Sequence, residues 1–188
     1  CRFLKPFSKT QKMNKFKIEF KWAIYYTFLG IMWFQLEKYL GFHDTNIANH
    51  PIFTNLIFIL IFGIYILFLL DKKKNFFNGI MTWQQGLLSG VILAIFAMIL
   101  TPFALYFSLK YVNPDFFTNM INYSVSKGMK LENAQAMFDI TAYMIFATFG
   151  TLSFGIIFAA LAALLVKTKK CRFYAALLLF FLLLVFIT

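Results

Sequence analysis

Both histidines of the chain fall in one short stretch, Gly41-Phe42-His43-Asp44-Thr45-Asn46-Ile47-Ala48-Asn49-His50-Pro51. Two imidazoles and one carboxylate, His43, Asp44 and His50, can coordinate a divalent metal, and Glu37 can supply a fourth ligand. The competing account is a solvated loop in which Pro51 opens the next helix, where its missing N–H costs nothing. Spacing alone does not make a site, so no metal and no cofactor are assigned.

Asn113-Pro114-Asp115-Phe116 carries a different signal. Asn113 can cap a helix, Pro114 suits its first position, and Asp115 complements the positive end of its dipole. The helix that follows places Phe116, Phe117, Met120 and Ile121 on one face, and Gly128 offers a stop. A catalytic carboxylate at Asp115 is the rival reading, but capping explains the residue without it.

A third pattern concerns contact rather than chemistry. Gly86, Gly90 and Ala94 recur at four-residue steps, and so do Ala147, Thr151, Gly155, Ala159 and Ala163. Stripes of small residues let helix backbones approach closely where lipid supplies no hydrophobic drive for association. They predict contact between their two helices, or a homodimer seam. Thr101-Pro102 predicts a kink.

Several chemistries lack the residues they need. There is no His-Glu-x-x-His, no Gly-x-Ser-x-Gly and no phosphate-binding glycine loop. Thr148, Thr151 and Ser153 fit backbone-bonded packing better than nucleophilic attack. No enzymatic activity is expected.

The elements that must position these residues follow from composition. Hydrophobic residues make up 61% of the 188 and charged ones 13%, with 27 phenylalanines. Mean hydropathy is +0.75. A soluble core of this size cannot hide so much apolar surface. The sequence predicts an all-α integral membrane protein, a four-helix bundle with spans near 22–40, 52–70, 85–109 and 140–166. A fifth apolar run, 173–187, reaches roughly 22 Å, short of a hydrocarbon core of about 30 Å. The segment after Pro114 is placed at the outer interface as an amphipathic helix between spans three and four, apolar face down.

Charge then orients the bundle. Fourteen of the 18 basic residues precede span one, join spans two and three, or follow span four. The positive-inside rule puts that face in the cytoplasm, N-terminus included. The same distribution explains the basic balance without nucleic acid. With both cysteines on this face, no structural disulfide is expected. The domain organisation is a basic segment 1–21, a membrane body 22–170 and an apolar tail 171–188. Residues 1–12 are expected to lie outside the native body, with Met13 as a natural start.

From Trp83 to Lys170 the sequence resembles the bacterial membrane proteins of domain of unknown function 4199 (DUF4199). The resemblance is carried by Gly86 and Gly90 opening the third span, by Tyr111-Val112-Asn113-Pro114-Asp115-Phe116, and by a small-residue last span closing on Lys167-Thr168-Lys169-Lys170. With the first hairpin it covers about residues 13–170. It implies four spans in a bacterial inner membrane and no assigned activity. The function expected is that of an accessory or scaffold protein acting through helix contacts with itself or a membrane partner. The alternative is an oligomeric carrier or flippase-like component for an apolar or lipid-linked substrate.

Overall fold

The computed structural model describes residues 16–168. The expected N-terminal extension and the fifth apolar run lie outside them. Among the described residues there is no strand. The helices are α1 (Lys17–Tyr39), α2 (His50–Asn55), α3 (Ile57–Asn75), α4 (Trp83–Phe107), α5 (Phe116–Ser126), α6 (Leu131–Met137) and α7 (Ile140–Val166). A 3-10 turn, Ile47–Asn49, leads into α2, and a π turn, Ser108–Val112, ends α4.

Three stretches are long and apolar enough to cross a membrane: Ile47–Asn75, Trp83–Val112 and Ile140–Val166. The sequence predicted four. α1 has 23 residues, about 34 Å of helix, but its charged ends and its tyrosines make it less apolar than the others.

The two small-residue stripes meet. A Cβ built on Gly86 would lie 2.9 Å from the Ala163 Cβ, and one on Gly155 2.6 Å from the Ala94 Cβ. Gly90 faces Ala159, whose Cα would be 3.1 Å from such an atom. Any side chain at these glycines would collide with the opposite helix, so α4 and α7 are in backbone contact. The Trp83 indole N–H adds a bond to the Ala160 carbonyl at 3.1 Å. Towards the other end of the stripe, Thr151 Oγ1 lies 3.2 Å from Thr101 Oγ1, and Ala147 borders a cavity.

Local chemistry sets the ends of these helices. Thr82 and Gln85 form a reciprocal capping box at the start of α4. Asp139 accepts the N–H groups of Thr141 and Ala142, both at 2.9 Å, at the start of α7. α5 stops at Gly128, which has φ +95°. There the Gly128 N–H bonds the Val125 carbonyl at 2.9 Å and the Met129 N–H bonds that of Ser124 at 3.1 Å, a paired C-terminal stop. Helix α4 continues past Pro102 to Phe107 before the π turn.

Ion pairs attach α1 at the end where the lysines gather. Lys72 of α3 lies 2.7 Å from the Glu19 carboxylate, with both side chains 2% exposed. The Lys21 ammonium and the Trp22 indole both donate to Asp71. At the opposite end Lys38 donates to the Val112 carbonyl. α1 and α4 therefore run away from the basic end, and α3 and α7 run towards it. The core between them holds Ala23, Tyr65, Phe68, Leu69, Leu93 and Ala159.

Candidate functional site

Glu37 sits in the last full turn of α1, and its environment is assembled largely by the chain around it. Trp33, one turn earlier on the same face, donates its indole N–H to Glu37 Oε1 at 2.9 Å. The Thr54 hydroxyl of α2 donates to the same oxygen. After α1 the chain reverses at Gly41, which has φ +78°. A Cβ there would also come within 2.5 Å of Thr45 Oγ1, but that exposed side chain can rotate away, so it is the left-handed backbone that needs glycine. The Phe42 N–H bonds the Glu37 carbonyl at 2.9 Å, and the Asn46 N–H bonds Gly41 at 2.7 Å. This reversal folds His43 back beneath α1.

His43 is 1% exposed, and its Nε2 lies 3.4 Å from Glu37 Oε2. Its Nδ1 is 2.9 Å from the side-chain amide of Asn113. Its backbone carbonyl accepts from Asn119 Nδ2 at 2.9 Å. His50, the first residue of α2, is also buried, and its Nδ1 finds no hydrogen-bond partner among the described residues. One donor atom from each of Glu37, His43 and His50 lies within 4.8 Å of the other two. Phe116 closes the group from α5, its ring centre 4.7 Å from that of His43 and 5.4 Å from that of His50. Phe34 covers the other side of His43 at 4.5 Å.

Two sequence expectations change here. Asp44 is not part of the cluster: it is exposed and accepts the N–H of the next residue, Thr45. Its place as carboxylate is taken by Glu37. The loop is solvated at Asp44, Thr45, Asn46, Ala48 and Asn49, and Pro51 opens α2 as expected, but the Gly41 reversal buries both imidazoles. Asn113 does not cap α5. That helix begins at Phe116 with Asp115 at its N-cap, and no side-chain capping bond forms. The Asn113 side chain is committed to His43, Pro114 precedes the cap, and Pro114 and Asp115 are exposed. The apolar face at Phe116, Phe117 and Met120 packs on Phe34, Leu105, Leu109 and Tyr143, closing the end of the bundle. The sequence reading passed over Phe116 as a cover for the histidines. It also undervalued Glu37, although a carboxylate ending a long apolar run needs buried partners.

Below Glu37 a cavity of about 290 Å³ separates α1 from α4 and α7, bordered by Tyr26, Gly30, Thr54, Thr101 and Tyr143. A second, also about 290 Å³, shares Tyr26, Phe58 and Thr151 with it and reaches Phe146 and Gly150 on α7. A Cβ on Gly30 or Gly150 would meet nothing within 4 Å. The walls are mainly apolar, and among the described residues Glu37 is the one carboxylate on them.

Residues 21–168 match the family described as protein of unknown function (DUF4199), and the chain belongs to that family. Nothing matches among curated proteins or among solved structures.

Proposed function

We propose that this DUF4199 member is a four-span inner-membrane protein that holds an apolar or lipid-linked molecule in the cavity below Glu37, without enzymatic turnover. The observation that carries this reading is the paired cavity itself. Each part is about 290 Å³, near the lower bound of small-molecule sites at about 300 Å³. The walls suit an acyl or isoprenoid chain, and Glu37, Thr54 and Tyr143 suit a hydrogen-bonding or cationic head. The second cavity reaches α7 beside the 77% exposed Phe146, which in a bilayer is a lateral way in for a tail.

Crossing by α1 is supported by its surface. Phe20, Ile24, Phe28, Met32, Leu36 and Leu40 recur at four-residue steps and are all exposed. An apolar stripe running the whole helix belongs against lipid rather than water. Its charged residues sit at the two ends, where Glu19, Lys21, Glu37 and Lys38 all have partners. With the lysine-rich end cytoplasmic, α5 and α6 lie at the outer surface.

The scaffold reading drew on the small-residue stripes as a surface for a second helix. Those of Gly86, Gly90 and Gly155 are occupied within the chain, which favours the ligand-holding alternative. The test is extraction and mass spectrometry of the protein purified in mild detergent. One apolar molecule retained per chain, and lost when Ala147→Phe or Gly30→Phe fills the cavity, is the expected result. Equal retention by wild type and filled variants would overturn the reading.

A further inference from the structure

We infer that Glu37, His43 and His50 form a divalent-metal site of the zinc class. The inference shares Glu37 with the cavity reading but rests on the donor atoms of Glu37, His43 and His50, whereas the cavity reading rests on the volume and its apolar walls. Two imidazoles and one carboxylate are a donor set that first-row divalent ions favour, whereas calcium or magnesium requires six or more oxygens. Ligands held about 2.0–2.2 Å from a tetrahedral ion stand about 3.3–3.6 Å apart. The 3.4 Å between His43 Nε2 and Glu37 Oε2 matches that edge. It is long for a direct N–H···O bond, which prefers about 2.7–3.2 Å. The third donor, from His50, stands within 4.8 Å of the other two, so its edges to them shorten when an ion is bound.

The His50 ring supplies an independent observation. It is 7% exposed, and its Nδ1 lies buried with no partner among the described residues. Buried polar atoms in native proteins are nearly always satisfied, and a cation at this position satisfies the cluster as a unit.

Outer partners are in place for the other two ligands. Trp33 and Thr54 both donate to Glu37 Oε1, leaving Oε2 directed at His43. Asn113 Nδ2 stands 2.9 Å from His43 Nδ1, and a half-turn of the amide, whose two ends have nearly the same shape, puts its oxygen there instead. With the oxygen towards the ring, it accepts the Nδ1 proton and presents the Nε2 lone pair to the ion, the usual support of a metal-bound imidazole. Phe34 and Phe116 keep the surroundings dry. Three protein ligands leave a fourth position for water or an anionic group.

The test uses the full chain in detergent, without a histidine tag, with Cys1 and Cys171 replaced by serine and metal stripped by chelator. Zinc alone is then titrated, its bound content measured after dialysis, and cobalt substituted for a tetrahedral visible spectrum. The expected result is one zinc per chain, a raised thermal midpoint and a tetrahedral cobalt spectrum. Glu37→Gln, which keeps the side chain's shape, and His50→Ala should abolish all three. Asn113→Ala should weaken binding about 10–100-fold, and Asp44→Asn should change nothing. Substoichiometric zinc in the parent, or unchanged binding by either Glu37→Gln or His50→Ala, would overturn the site and leave the cavity reading untouched.

Discussion

The Glu19 carboxylate and the Lys72 ammonium lie 2.7 Å apart with both side chains 2% exposed, joining the first turns of α1 to the last turns of α3. Removing one charge from such a pair leaves the other in a medium that solvates it poorly, at about 3–5 kcal/mol. Lys72→Met should therefore lower the thermal aggregation midpoint sharply. Adding Glu19→Gln should recover most of the loss, because the stranded charge is gone. Lys74→Met, at an exposed position, should stay within about 0.5 kcal/mol of wild type. A double variant as weak as the single one would show that the pair matters for something other than charge compensation.

Close approach of α4 and α7 makes a second prediction. Leucine at Gly90 or Gly155 must force the backbones apart, and overpacking costs about 1–3 kcal/mol. Ile92→Leu and Ile156→Leu change shape with little change in volume and should be tolerated. Gly150→Ala, where an added Cβ meets nothing within 4 Å, should be neutral or stabilising, since glycine inside a helix costs about 1 kcal/mol relative to alanine. Midpoints compared in one detergent decide the matter, and equal values for Gly90→Leu and Ile92→Leu would contradict the contact.

Tyr65 is fully buried, and its hydroxyl finds no hydrogen-bond partner among the described residues. An unsatisfied buried hydroxyl costs about 1–3 kcal/mol. Tyr65→Phe should leave the midpoint unchanged or raise it. A clear fall would reveal a partner for this hydroxyl, a bound water or a ligand in the neighbouring cavity.

Orientation can be read by labelling in whole cells with a membrane-impermeant thiol reagent. In a background lacking Cys1 and Cys171, cysteine at Thr45 should react and cysteine at Asn75 should not. The reverse pattern would invert the topology.

The helices and the α4–α7 contact were readable because both are periodic: apolar runs mark the helices, and glycine and alanine at four-residue steps mark where backbones touch. The Thr82-x-x-Gln85 capping box is a local pattern that the expected span, starting at Gln85 itself, cut through. His43, His50 and Glu37 were readable as possible ligands, but their convergence in one buried group was not, because no periodicity reports it. It depends on one left-handed turn at Gly41 and on Asn113 and Phe116, remote in sequence, arriving over His43. Lys72 misled for a related reason. By position it is one more topogenic lysine, and only the fold shows it buried against Glu19.

Backbone contact between α4 and α7 also divides the molecule mechanically. Two helices already touching at Gly86, Gly90 and Gly155 cannot move closer, and parting them sacrifices the contact along its whole length. Gly30 on α1 and Gly63 on α3, by contrast, face open space within 4 Å. The α4–α7 pair is thus the fixed half of the bundle, and enlarging the cavity requires displacing α1 or α3 against it.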